Sequence, residues 1–547
     1  MGTGMGMAIR PTNTLQQAAL EAKDNPMPAR RADLSVLADG LVGHGRVRAV
    51  AAGAISLCAS LGATAQTDGT SARRLFLQPS LTISQTLTNN YDLDPNVSES
   101  DGITRLAAGV ALRSTGGTLN ATVDYSLSLQ SFARHSGQNS LQNALKAGFN
   151  AEVVDNRLQL AGTAAISRRA VSAFGVQPGV IDGVNSNSVE VRSLQIAPTL
   201  RGSLGTALRY SMGVEFSSSA AAGSDAGDSS GRTVQIQLEP QRGGVLGWSL
   251  NASHRTSAFR LGRSSASGQL AGRLGYALTD LDLNFSATAG AERNDLESAT
   301  GRTTSNWGVG LVWTPSKITR ASADFVHRFF GRSHAVAISH RTPRTLWQIR
   351  SSRSLSTDGS RDGGARGTMY DLLYAQLSAV QPDPVLREAL VLQTLRDRGI
   401  DANQGVDLGF LQSAATVQES LEASAAWTSP RSTATVSVRQ GKSRRVDALA
   451  NVTDDLSGGN VVRTRALSIN LSHRLTPMSS ANLLVSQQRS EGSVTGQSNR
   501  QDQMALQYST RLTIDSTLGA TLRHVRIHNE TQSYGESALT ATYGLRF

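Results

Sequence analysis

Eight histidines follow residue 65: His135, His254, His327, His334, His340, His473, His524 and His528. None belongs to an HExxH pair or stands at short metal-ligand spacing from carboxylates. No G-x-S-x-G, phosphate-binding glycine loop or dinucleotide fingerprint occurs either. His334 and His340 share one strand face, beside His327 on the neighbouring segment, which reads as polar strand-end decoration. No catalytic residue, cofactor or metal ligand is therefore expected, and arginine is left as the residue type that carries chemistry. Arg201, Arg209, Arg273, Arg474, Arg511 and Arg546 share the parity of an inward face, and each lies within a few residues of a short break. A ring of guanidinium groups at an entrance concentrates anions and sets selectivity. Glu239, near the same rim, would offset part of that charge.

What must hold these side chains is a set of strands. From Leu75 onward one pattern repeats: about ten residues alternating apolar and polar, then a break. Leu119, Ala121, Val123, Tyr125, Leu127 and Leu129 alternate with Asn120, Thr122, Asp124, Ser126, Ser128 and Gln130. Leu281, Leu283, Phe285, Ala287 and Ala289 alternate with Asp282, Asn284, Ser286 and Thr288. Strands of a soluble sandwich average about five or six residues, whereas about ten suit a tilted membrane crossing. Twenty-two such segments begin near residues 74, 103, 118, 140, 157, 189, 206, 232, 246, 267, 280, 304, 318, 333, 344, 417, 431, 461, 479, 500, 515 and 534. Breaks after even-numbered segments are short, and those after odd-numbered ones, such as 89–102, 168–188, 218–231 and 442–460, are mostly long. This is the pattern of short periplasmic turns and long outer loops. The fold class is all-β: a large antiparallel transmembrane β-barrel of about 22 strands with both termini in the periplasm. Its inward ionisable residues, from Asp124 and Lys146 to Arg523 and Arg546, comprise eleven basic and seven acidic side chains.

Composition agrees. Only 17% of the 547 residues are charged and 39% are hydrophobic. No run of about 18 apolar residues exists, which excludes helical spans but not strands. The +11 formal charge is dispersed without a Lys/Arg run, so a nucleic-acid partner is not expected. Residues 46–65, RVRAVAAGAISLCASLGATA, read as a signal peptide. Arg46 and Arg48 form its basic start, and Ala63-Thr64-Ala65 its cleavage site. The mature chain then starts at Gln66 and loses the single cysteine, Cys58, leaving no disulfide or thiolate site. Residues 1–45 form an extension before the signal, as an upstream start codon would produce. The barrel occupies 66–547.

Aromatic residues mark the predicted periplasmic strand ends: Trp248, Tyr276, Trp313, Trp427 and Phe547, all on the apolar face, where an interfacial girdle belongs. The chain stops on an alternation in which Leu539, Ala541, Tyr543, Leu545 and Phe547 share one face. Tyr543, Leu545 and Phe547 resemble the terminal signal read by the barrel-assembly machinery. Residues 358–416 break the strand pattern. Helical spacing over Met369 to Val380 and Pro384 to Arg398 predicts a small helical insertion in one extracellular loop, capping the mouth or folding into the lumen.

Several segments resemble the PEP-CTERM/exosortase system-associated outer-membrane protein family: LQPSLTISQTLTNNYDL (77–93), AFGVQ (173–177), residues 308–352, PDPVLREALV (382–391) and ESLEASAAWTSPRSTATVSV (419–438). The resemblance implies a Gram-negative outer-membrane location beside systems that make exopolysaccharide and sort PEP-CTERM proteins. It implies no defined activity. The expected partners are outer-membrane lipid and lipopolysaccharide, the barrel-assembly machinery and exopolysaccharide export components. The function expected is a passive, porin-like conduit for exopolysaccharide or another anionic solute. The alternatives are a non-conducting structural or assembly barrel, for which the insertion would serve as a plug, and, more remotely, an outer-membrane enzyme.

Overall fold

The computed structural model describes residues 74–359 and 409–547 apart from Thr495 and Thr531, together with Tyr374, Arg387, Glu388, Val391 and Leu392. The extension, the signal segment with Ala63 and Ala65, and most of the insertion lie outside the described residues. The barrel unit spans Ser71–Phe547.

Twenty-two strands pair in chain order, every neighbour antiparallel, from β1 (Arg74–Thr88) to β22 (Ser533–Arg546). They run from ten to 17 residues. The sheet closes on itself through nine β1–β22 pairs, from Ser80↔Arg546 to Thr88↔Ala538, and the Phe547 amide donates to the Pro79 carbonyl at 3.0 Å. Closure leaves no strand edge unpaired, as lipid requires. A barrel of this strand number is roughly 40 Å across.

The outward face is apolar. Leu471, Leu483, Leu506, Leu522, Leu539 and Leu87 stand opposite one another on six successive strands: β18 (Val461–Arg474), β19 (Ser479–Glu491), β20 (Ser498–Arg511), β21 (Ser516–Asn529), β22 and β1. Leu522 is 56% exposed and Leu270 52%, which only a lipid-facing wall explains. Trp248, Tyr276, Trp313, Trp427 and Phe547 are all exposed on this face near the end where β1 begins and β22 ends, the terminal end of the barrel. Phe285 and Trp347 join them there.

Turns at this terminal end contain two to five residues. Four of them repeat one device. Thr342-Pro-Arg-Thr345, Ser429-Pro-Arg-Ser432, Thr476-Pro-Met-Ser479 and Thr513-Ile-Asp-Ser516 each tie their first hydroxyl to the fourth residue, as in Thr476 Oγ1···Ser479 Oγ at 2.7 Å. The hydroxyl bond adds to a backbone bond from the first amide to the fourth carbonyl, as in Ser429 N to Ser432 O at 2.7 Å. The opposite, loop end carries 89–100, 171–187, 357–415 and 446–460.

Two local expectations fail. The break at 218–231 is strand: β7 (Leu208–Ala221) and β8 (Ser224–Pro240) meet in a two-residue turn at Ala222-Gly223, where Gly223 has φ +75°. Small polar residues read as loop, yet the backbone ladder continues through them. Asp282 is not an inward strand residue but a left-handed turn residue, φ +48°, before β11 (Leu283–Asn294). The predicted insertion helices fall outside the described residues except at five helical positions. Of these, Glu388 lies on the inward wall of β4 (Ser140–Val154), 3.3 Å from where a Cβ on Gly148 would sit.

The register is testable. A lipid-facing Arg costs about 2–4 kcal/mol near the midplane. Leu522→Arg is expected to cut the yield of heat-modifiable, folded barrel severely, while Thr521→Arg, on the luminal face, is expected to fold at near wild-type yield. Reversed yields would mean the faces are exchanged, and equal yields would reject the assignment of one face to lipid.

Candidate functional site: the lumen and its in-folded loop

Inward positions are polar along most of the wall, but at the loop end the rule inverts. Ile103, Phe132, Val462, Val525 and Ile527 occupy inward positions and are buried. What covers them is the loop 171–187, between β5 (Leu158–Ala170) and β6 (Ser188–Leu204). Its Val180 and Ile181 pack with Val525, Ile527 and Leu93. Val184 packs with Tyr91, Ile103 and Phe132. Ala173 packs with Phe410, Leu456 and Val462. The loop thus leaves the wall at β5 and reaches strands several positions away around the barrel, which a chord through the lumen accomplishes.

Polar bonds fasten this chord. The Ala173 amide and Ser172 hydroxyl donate to Asp455 at 2.6 and 3.0 Å. Asn499 Nδ2 donates to the Gly175 carbonyl at 2.9 Å. Gly183 lies so close to Tyr91 that a Cβ there would fall 1.7 Å from the Tyr91 carbonyl oxygen, which accepts from Val184 N at 2.9 Å. The deepest fastening is ionic. Arg523, on β21, donates to Asp182 at 2.8 Å and to Glu536 at 3.2 Å, and Thr88 Oγ1 donates to Glu536 at 2.6 Å. Glu536 is fully buried and Arg523 nearly so. Gln130 Nε2 also donates to the Asp182 carbonyl. A cavity of about 560 Å³, lined by Lys146, Arg169, Asp182 and Glu388 among others, lies beside the loop.

Above it, β4 and β5 pair only up to Leu145↔Ile166. Asn143 N instead donates to the Glu190 carboxylate at 3.4 Å.

At the terminal end the six arginines fare differently. Arg209 stands opposite Glu239 and pairs with it at 3.0 Å. Arg273, on β10 (Ser264–Leu278), pairs with Asp324 of β13 (Thr319–Arg328) across Gly310, whose missing side chain leaves the room. Arg546 lies at the closing seam and is partnered. Arg201, Arg474 and Arg511 make no salt bridge among the described residues. The six are therefore not one uniform ring: carboxylates quench part of it. Arg474 and Arg511 instead join Arg431, a turn residue, around an inward cavity of about 600 Å³ rich in hydroxyls, including Ser472, Ser509 and Thr517. Strand parity does not reach Arg431, because it belongs to the Ser-Pro-Arg-Ser turn. Tyr543 and Leu545 face outward opposite Ile83 and Leu81, with Phe547 exposed beyond them.

His327, His334 and His340 do not converge. His327 stacks on Trp307, while His334 and His340 bond Ser351 and Thr319. No group of three or more metal-ligating side chains occurs among the described residues.

No protein-family model and no curated protein matches the chain. Solved structures similar to it include the FrpB iron transporter from Neisseria meningitidis (10% identity, 86% of this chain and 82% of that one, TM-score 0.45). Others are the siderophore receptor PirA from Pseudomonas aeruginosa (10%, 86% and 80%, 0.39) and an anion-selective porin from Comamonas acidovorans (8%, 87% and 100%, 0.32). At these values the likeness is of barrel to barrel, and no function passes across it. Closure, the apolar outer wall and the aromatic girdle decide the class. The chain is a β-barrel of the outer-membrane type.

Removing one partner of a buried ion pair costs about 3–5 kcal/mol. Arg523→Ala is therefore expected to free the loop 171–187, and Gly183→Val to do the same by displacing Tyr91. Proteolytic nicking within 171–187 should rise in both variants with the barrel still heat-modifiable. Wild-type protection in both would remove the latch.

The loop 133–139 adds a pH dependence. His135 stacks on Tyr91 at 4.1 Å and bonds Asp101 at 2.7 Å and Glu99 at 2.8 Å. The Asp101 hydrogen bond, with help from Glu99, raises its pKa. The docked state thus favours the protonated ring. Docking is fully supported below the ordinary value near 6.5 and is lost as pH climbs through the raised one. Protection factors of amides in 89–100, with the base-catalysed intrinsic rate divided out, should fall between pH 6 and pH 9 in the wild type and stay flat in His135→Gln.

Proposed function

We propose that this barrel is a narrowed passage for anionic solutes across the outer membrane, with both termini in the periplasm. The observation that carries the reading is the inward cluster of Arg431, Arg474 and Arg511, three guanidinium groups around one hydroxyl-lined cavity with no carboxylate paired to them among the described residues. Charge focused at an entrance raises the local concentration of counter-ions, and planar guanidinium forks suit carboxylates, sulfates and phosphates. The short turns at the terminal end and long loops at the other support the orientation. The in-folded loop sets the bore, so a flexible polymer would pass as a single extended chain. Exopolysaccharide as that polymer draws its support from the family resemblance. Tyr543, Leu545 and Phe547, outward at the seam, fit a strand presented to the barrel-assembly machinery.

A second reading, a non-conducting barrel that organises surface machinery, is favoured by the buried packing of 171–187 and 410–415 at the loop end. Planar-bilayer recording separates the two. The conduit reading expects discrete channels that prefer anions. In Arg431→Gln/Arg474→Gln/Arg511→Gln the preference should fall and its salt dependence flatten, since screening acts only on what the cluster contributes. An unchanged reversal potential with conductance intact would reject the cluster, and absence of channels in both wild type and Arg523→Ala would favour the structural barrel. Labelling of Ser298→Cys on intact cells tests the orientation.

A further inference from the structure

The outward face is apolar up to a definite height on β17 (Ser432–Arg445) to β21, and there it changes sign. Arg465, Arg489, Arg500 and His528 stand directly opposite one another on four successive strands, all facing outward. Directly opposed like charges destabilise a sheet, so three arginines in one row need a counter-charge. The wall supplies only part of it. Glu491 pairs with Arg489 at 2.5 Å and Asp502 with Arg500 at 3.0 Å. Arg463, Arg526 and Lys442 lie in the adjoining rows, exposed and without salt bridges among the described residues, although Glu491, Asp502 and Glu419 stand opposite them; two of these three carboxylates are also the partners of Arg489 and Arg500, so cations outnumber carboxylates on this face.

Height fixes what the row meets. On β20 the girdle residue Tyr508 and Arg500 are eight positions apart, with outward Leu506 and Met504 between them. Eight positions span about 27 Å along a strand, or roughly 20 Å of height at a tilt near 40°. An apolar band is about 25 Å tall. The backbone of the row therefore stands roughly 5 Å short of the far edge of the band, and the long arginine side chains reach the headgroup level there.

We propose that this row is a docking site for a phosphorylated glycolipid of the outer leaflet, its phosphates seated between Arg465, Arg489 and Arg500 and its acyl chains on Val485, Met504 and the leucine row beneath. A soluble anionic polymer is the poorer fit, because the row faces lipid rather than the lumen. The proposal rests on the orientation read above but not on conduction, and it is tested in detergent, where orientation plays no part.

The probe is diphosphoryl lipid A added to the purified, folded full chain, with binding read by native mass spectrometry. Wild type is expected to bind it and to bind a dephosphorylated version at least about tenfold more weakly, the ratio of a single strong charge-assisted contact. Arg465→Gln/Arg489→Gln/Arg500→Gln should lose the phosphate-dependent binding, the corresponding triple Lys variant should keep most of it, and Arg232→Gln, outward on another wall, should not change it. Heat-modifiability confirms that each variant is folded. Wild-type affinity in the triple Gln variant, or equal binding of the dephosphorylated lipid, would overturn the proposal. So would dextran sulfate binding the same arginines as tightly as lipid A, since the row would then read polyanions in general.

Discussion

A sheet in lipid has no water to satisfy an open edge, and every feature of this molecule follows from that constraint. Nine pairs between β1 and β22 close the sheet, and they fix a register in which Leu87 and Leu539 complete a row of leucines begun on β18. Once one face is committed to lipid, the period of two commits the other to the interior. Pro79 fits the seam because only its carbonyl is used there, accepting from the last amide of the chain. The Phe547 amide is thus part of the closure geometry.

The interior then has to be filled or hydrated. Along the terminal half its lining is polar, with arginines, hydroxyls and local ion pairs such as Arg209–Glu239. At the loop end it is filled. The same inward positions turn apolar on β2 (Asp101–Thr115), β3 (Leu119–Phe132), β18 and β21, and a loop carrying Val180, Ile181 and Val184 covers them. Burial of these side chains supplies the attraction, at about 25 cal/mol per Å² of apolar surface. The Asp182–Arg523–Glu536 triad supplies the alignment. A buried charged triad is weak grounds for stability but strong grounds for a single docked arrangement, because any other placement takes Asp182 away from the nearly buried Arg523 and leaves its charge matched by Glu536 alone.

Strand number, order and nearly all strand starts were legible in the sequence, since lipid imposes a strict alternation and turns interrupt it. The 218–231 stretch misled because Ser, Ala, Gly and Asp favour loops intrinsically while ladder bonding does not depend on side chains. Arg523 and most other inward ionisable residues followed from parity. Asp182, its partner, did not, because it belongs to a loop with no period. The signal that was present and passed over is the inverted parity of Val525 and Ile527: two apolar residues pointing into a polar lumen require a cover. Arg431 escaped for a different reason, as a turn residue whose direction is set by the Ser429–Ser432 hydroxyl bonds.

The dispersed positive charge illustrates how register converts composition into a surface. In the sequence Arg465, Arg489 and Arg500 are separated by more than ten residues each, and no local window contains a basic run. Antiparallel pairing brings them abreast, because each hairpin returns the chain to the same height. On the luminal face, facing carboxylates pair off most such charge: Arg273 with Asp324, Arg328 with Glu292, Arg439 with Glu422. On the outward face the same density of arginine meets fewer carboxylates. The outward excess on β18 to β20 is what the proposed lipid phosphates would neutralise, while the inward excess lies in the cluster at the terminal end. Under the two proposals made above, basic character in this chain divides by direction, inward toward solutes and outward toward lipid headgroups.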